Sequence, residues 1–156
     1  MSTQKTQTPD QVDVRGPRFA AWVTTVVLAA TLLLYGVSPA AAAVLLAVQA
    51  VVFAIGAWLG PRKHPYGLVF ARLIAPRLGP VTEKEPTPPL RFAQLVGLLF
   101  AVVGVAGFAA GADLLGLIAT GFALVAAFLN AAFGICLGCQ IYPLVVRLRP
   151  SARVTT

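Results

Sequence analysis

The chain has 156 residues, of which 58% are hydrophobic and only 11% charged, with a mean hydropathy of +0.85. A soluble domain carries about 25% charged residues, so the composition excludes a soluble enzyme and a disordered chain, and two cysteines exclude a secreted disulfide scaffold. The net charge of +7 would suit nucleic acid or anionic lipid. The cations fall in three short stretches between long apolar runs, which points to a membrane protein.

Residues 1–18 read as a flexible, polar N-terminal tail. The run from Phe19 to Val37 carries no charge, and at about 1.5 Å per residue it covers the hydrocarbon core of a bilayer. Ser38-Pro39 is a turn, with Ser38 as an N-cap and Pro39 in the first turn of a second span over 40–60. A signal peptide is disfavoured, because the apolar run is too long for its core region and another spanning segment follows at once.

A linker over 61–91 contains seven prolines and six of the cations. Within it, residues 66–75 (YGLVFARLIA) are apolar but too short to span. They read as an interfacial helix with Arg72 reaching towards lipid phosphates, and 80–89 reads as extended, exposed linker. A third span is expected over 92–110 and a fourth over 114–134, with Asp113 as the N-cap of the fourth. The expected architecture is all-α: a four-helix transmembrane bundle of two helical hairpins, occupying residues 19–146, with a basic tail over 147–156.

Four spans put all 12 Lys and Arg on one side of the membrane, three before the first span, six in the linker and three after the fourth. The positive-inside rule makes that side cytoplasmic. The expectation is a multi-pass protein of a bacterial inner membrane with both termini inside. Arg15, Arg18, Arg62, Lys63, Arg72, Arg91, Arg147 and Arg149 are then boundary anchors for anionic lipid, at about 1 kcal/mol each. With the cations so accounted for, no nucleic-acid surface remains.

Polar groups within the apolar segments are few. Gln49, Gln94 and Asn130 are expected to hydrogen-bond between helices, and no charge within a span suggests an ion relay. His64, the sole histidine, reads as a polar residue at headgroup level. The small-residue pairs Gly56/Gly60, Gly107/Gly111 and Gly134/Gly138 allow close helix approach within the bundle or in a homo-oligomer.

The one chemical motif is Cys136-Leu137-Gly138-Cys139, at the expected cytoplasmic end of the fourth span. Cysteines at i and i+3 can close a disulfide, and in a reducing cytosol such a pair points to redox or metal chemistry. Gln140 stands where haem attachment needs histidine, and two thiolates fall short of a zinc site, so neither metal nor cofactor is expected. The placement cuts both ways. At the end of an unbroken helix the dipole opposes a thiolate, whereas a break near Gly138 and Pro143 would let Cys139 approach the start of a short helix.

Three stretches carry a family resemblance. Residues 12–19 (VDVRGPRF), the Glu-x-Pro-x-Pro-Pro-x-Arg-Phe stretch from Glu85 to Phe92, and Gly134-x-Cys-x-Gly-Cys-x-x-Tyr142 resemble, in order, the signatures of an uncharacterised bacterial family of four-span membrane proteins with a C-terminal CxGC motif. The resemblance implies the same fold. Because relatives are often encoded near thioredoxin-like or rhodanese-like proteins, it also implies thiol or sulfur handling by the pair that maps to Cys136 and Cys139. Three functions stay open: thiol-redox or sulfur transfer with a cytosolic partner, a non-catalytic scaffold or accessory subunit, and a small sulfur-compound permease acting as an oligomer. Whether the chain is an enzyme is left undecided.

Overall fold

The computed structural model describes residues 10–149. The first nine residues of the N-terminal tail and the C-terminal tail from residue 150, including Arg153, lie outside them. Four long helices make up the body: α1 (Arg15–Tyr35), α2 (Pro39–Leu59), α4 (Thr87–Ala109) and α5 (Asp113–Phe133), each long and apolar enough to cross a membrane. Between α2 and α4 lies α3 (Pro65–Val69), continued by a π-helical turn (Phe70–Ile74) and a 3-10 turn (Ala75–Arg77). The last described helix is α6 (Leu137–Leu148), and two short strands, β1 (Gln11–Asp13) and β2 (Lys84–Pro86), accompany the helices.

The turn chemistry follows the sequence at the first hairpin. Ser38 Oγ accepts a hydrogen bond from Ala41 N at 3.2 Å, and Pro39 opens α2, where its missing N–H costs nothing. Helix α2 closes on Gly60, whose φ of 85° suits a residue without Cβ. At the second hairpin the expectation fails. The N-cap of α5 is Ala112 and makes no side-chain cap, so Asp113 is the first helical residue, where its charge still suits the positive end of the helix dipole.

Two helices start earlier than the apolar runs suggest. Helix α1 begins at Arg15 rather than Phe19, and α4 begins at Thr87 rather than Phe92. In α4, Pro88 and Pro89 occupy the first turn, where backbone N–H groups have no intrahelical partner. The stretch over 80–89 is therefore extended only in part. Nor is the N-terminal segment flexible through residue 18. It forms β1, which pairs antiparallel with β2 in the register Val12↔Glu85, and flanking bonds from Thr87 N to Asp10 O and from Val14 N to Glu83 O lengthen the ladder.

The four long helices form a ring in the order α1-α2-α4-α5, each packed on its neighbours. Leu28, Ala42, Leu46, Phe53, Ala101, Phe108 and Ala123 form the core. Glycines set the close approaches: Gly97 faces the Phe53 ring, Gly104 faces Leu46, and Gly107 lies against the backbone of Gly116. Only 22–39% of the most apolar window of each long helix is buried within the protein. Leu33, Val37, Val44, Leu114 and Phe122 are all more than 60% exposed. Surface of this kind needs a hydrocarbon solvent.

The two hairpins repeat one pattern of elements and contacts. Each is preceded by a strand, and β1 and β2 pair with each other. Arg18, near the start of α1, donates to the carbonyls of Ala131 and Ala132 at the end of α5, both at 3.2 Å. Arg91, near the start of α4, donates to Ala57 O at 3.0 Å and Trp58 O at 2.6 Å at the end of α2. Each arginine thus satisfies the orphan carbonyls of a helix in the other hairpin. The short helices repeat the pattern: the Phe70 ring packs tilted against Phe19 at 5.9 Å, and Tyr142 tilted against Phe92 at 5.8 Å.

Candidate dithiol site

Helix α5 stops at Gly134, which adopts a left-handed conformation with φ of 69°. The chain then reverses and α6 starts, with Cys136 as its N-cap. Gly134 and Gly138 consequently lie on either side of a helix break, and they do not form the packing stripe that their spacing suggests. Gly138 alone makes a close approach: a Cβ there would sit 2.7 Å from both Cα and Cβ of Ala93 on α4. The break comes before the thiols, not at Gly138 or Pro143. Pro143 lies inside α6.

Cys136 and Cys139 are joined as a disulfide, with Cα atoms 5.2 Å apart, inside the usual span for this bond. Cys136 Sγ also accepts from Cys139 N at 3.3 Å. Cys136 therefore occupies the N-terminus of a helix, where the dipole and a backbone N–H favour negative charge on its sulfur. This is the reverse of the setting at the end of an unbroken span. Both cysteines are half-buried, so the bond is neither sealed in the core nor fully exposed.

His64 is the residue that sequence reasoning misjudged. It is only 3% exposed, and neither ring nitrogen has a hydrogen-bond partner among the described residues. Burial pushes its pKa down to about 4, with Gln94 alongside acting in the opposite sense. The imidazole is therefore neutral at pH 7, with one donor and one acceptor nitrogen. The Gln94 carbonyl oxygen also lacks a partner. Room for both side chains comes from Gly56, where a Cβ would meet His64 Cδ2 at 2.7 Å and Gln94 Cγ at 2.8 Å. Tyr66 packs edge-on to His64 at 5.2 Å and donates to Gln49 Oε1 at 2.7 Å, so Gln49 bonds to the linker helix and not to another span.

His64 is the N-cap of α3, and Cys136 is the N-cap of α6. Phe70 follows His64 at the same interval as Tyr142 follows Cys136, and both aromatics make the matching ring contacts described above. The histidine and the cysteine thus hold matching places after the two hairpins. Both line one cavity of about 650 Å³, together with Thr24, Phe53, Gln94 and Asn130. It lies at the end of the bundle that carries the strands, the linker and α6.

The basic residues divide into two groups. Arg18 and Arg91 hold helix ends, as above. Arg15 pairs with Asp13 at 2.8 Å and holds that carboxyl below its ordinary pKa, while Arg62 pairs with Asp10 at 2.7 Å and with Gln11 O. These four are structural clasps, and boundary position alone does not account for them. Lys63, Arg72, Arg147 and Arg149 are exposed and free to meet headgroups. Helix α3 itself docks on α1, with Phe70 buried against Gly16 and Phe19. Among the described residues, no three His, Cys, Asp or Glu side chains come together as a metal site would require.

The three signature stretches meet in this arrangement: residues 12–19 and 85–92 supply the paired strands and the arginine clasps, and 134–142 supplies the disulfide turn. A family model described as "Domain of unknown function (DUF4395)" matches residues 12–147. The chain belongs to the DUF4395 family. No curated protein and no solved structure matches it. The matched span of this family member runs from β1 to α6 and takes in every element of the site.

Proposed function

We propose that this multi-pass membrane protein is a thiol–disulfide exchanger whose dithiol faces the cytoplasm of a bacterial cell and trades electrons, or a sulfane sulfur, with a soluble thioredoxin-like or rhodanese-like protein. The observation that carries the reading is the Cys136–Cys139 bond at the N-terminus of α6, half-buried at the basic end of the bundle. Helix N-terminal placement is the feature that activates one sulfur of a CxxC pair. The orientation rests on the charge asymmetry, since every Lys and Arg precedes α1, lies between α2 and α4, or follows α5, apart from those in the first turns of α1 and α4.

In the forward step a thiolate of the partner attacks one sulfur of the Cys136–Cys139 bond, and the other leaves as a thiolate. The partner's second thiol then attacks the mixed disulfide, so that the partner is oxidised and the pair is reduced. Arg147 and Arg149, exposed on the last turns of α6, present positive charge to an acidic partner surface.

The test uses the purified full chain in nanodiscs with a reduced thioredoxin as electron donor. The wild type is expected to gain two free thiols per chain on reduction, and the Cys136→Ser/Cys139→Ser variant none, while inserting normally. Equal exchange by the double variant would refute the proposal.

A further inference from the structure

We infer that the cavity between His64 and Cys136 is a binding site for a lipid-soluble quinone, which accepts the two electrons of the reduced Cys136/Cys139 pair. The inference rests on the dithiol reading above and assigns the pair its second, membrane-borne partner.

Four observations converge. The cavity volume of about 650 Å³ falls within the roughly 300–1,000 Å³ range of small-molecule sites. Its walls include Thr24 of α1, Phe53 of α2, Phe100 of α4 and Ala123 of α5, so it lies where an apolar, ring-bearing molecule would dissolve. Its two charged residues, Asp13 and Arg62, are each engaged in an ion pair, and its other polar groups are neutral. His64, nine-tenths or more buried, offers an N–H with no partner among the described residues, and a buried unpaired donor is costly until an acceptor arrives. Finally, Cys136 is a residue of the cavity wall and Cys139 is not, so the cavity borders the dithiol on one side.

These features select among ligand classes. A sulfur oxyanion would need a free cation, and Arg62, the one Lys or Arg on the lining among the described residues, is engaged with Asp10 and Gln11. An acyl chain would leave the imidazole unmatched. A quinone matches both, because its ring suits the aromatic wall and a carbonyl oxygen accepts from His64. The neutral imidazole that burial enforces is the right form for this, since one nitrogen donates and no charge is left in the apolar site.

The step balances. The two S–H bonds of the reduced pair break and the Cys136–Cys139 bond forms. The two electrons and two protons pass to the quinone oxygens, giving one hydroquinone per chain. The disulfide is then reduced again by the soluble dithiol, whose own thiols become a disulfide. Electrons thus run from a cytosolic dithiol into the membrane quinone pool.

The experiment takes pre-reduced full chain in nanodiscs with ubiquinone-1 as probe and follows hydroquinone formation and loss of free thiols together. The expected result is one hydroquinone for each disulfide closed. His64→Phe and Gln94→Leu should slow the quinone reaction at low quinone by about tenfold, the equivalent of one hydrogen bond, with exchange towards reduced thioredoxin unchanged. A wild-type pair that exchanges with thioredoxin but never reduces quinone would overturn this inference and leave the dithiol reading standing. Failure with both partners would remove the two together. Should the His64 and Gln94 variants misfold, photolabelling of wild-type protein with an azido-quinone decides: adducts on cavity residues support the site, and adducts confined to lipid-facing residues such as Leu33 or Val44 contradict it.

Discussion

The packing of α6 on α4 gives a sharp test of how the dithiol is positioned. Gly138→Ala would place a Cβ 2.7 Å from both Cα and Cβ of Ala93, and these are backbone-fixed atoms that cannot swing aside. Ordinary carbon–carbon contact lies at about 3.5–4.0 Å, so α6 must retreat by about 0.8 Å or more. Overpacking of this kind costs about 1–3 kcal/mol, against about 1 kcal/mol gained from the better helix propensity of alanine. The net loss should be about 1 kcal/mol, a fall of a few degrees in Tm. The shift also carries Cys136, two residues away, off the cavity wall. The Tm in nanodiscs and the rate of quinone reduction by the pre-reduced pair should therefore both fall. Gly121→Ala, with nothing within 4 Å of its added Cβ, should leave both unchanged or raise Tm slightly. If Gly138→Ala matches the wild type in both assays, the Ala93 contact does not position the dithiol and the argument fails.

Three further outcomes follow from the same structure. Ser38→Ala removes the hydrogen bond to Ala41 N and should lower stability by about 1 kcal/mol, measurable as a drop in Tm. Arg18→Ala and Arg91→Ala each orphan two helix-end carbonyls. Each should cost about 1–3 kcal/mol and speed proteolysis at the end of the opposite hairpin. Because His64 titrates near 4 instead of 6.5, the unfolded chain binds its proton first as pH falls. Its contribution is intact above pH 6.5 and is lost progressively towards pH 4, amounting to about 3 kcal/mol at about 1.4 kcal/mol per unit. Tm should thus fall more steeply with acid in the wild type than in His64→Phe, and parallel pH curves would contradict the buried, neutral imidazole.

The long helices are legible in the sequence because a bilayer demands uninterrupted apolar runs of a set length, and Ser38-Pro39 announces its turn through capping chemistry. Their starts are less so. Arg15 and Thr87-Pro88-Pro89 lack the hydropathy of a span, yet they fit a first turn that needs no backbone partners. The clasps of Arg18 and Arg91 are hidden for another reason. Topology already explains a cation at any membrane boundary, so nothing in the sequence separates an arginine that binds carbonyls from one that meets lipid.

The site divides in the same way. The CxGC spacing makes the disulfide readable, whereas its place at a helix start depends on the left-handed Gly134, a conformation that one glycine among fourteen does not advertise. His64 sits in Arg-Lys-His-Pro, where local charge suggests solvent. Only the approach of α4, separated along the chain and packed through Gly56 and Gln94, buries it. The repeated pattern of the two hairpins is likewise hidden, because it shows in the pairing of β1 with β2, which lie far apart in sequence and share little composition.

The central claim, a reversible dithiol at the cytoplasmic face, is tested most directly by mass-tagging Cys136 and Cys139 with a membrane-impermeant maleimide in intact cells and in inverted vesicles, with and without reductant. The account predicts no tagging of intact cells and, in inverted vesicles, two tags per chain that appear only after reduction and vanish on reoxidation. Tagging from outside the cell, or thiols that stay free under oxidising conditions, would contradict it.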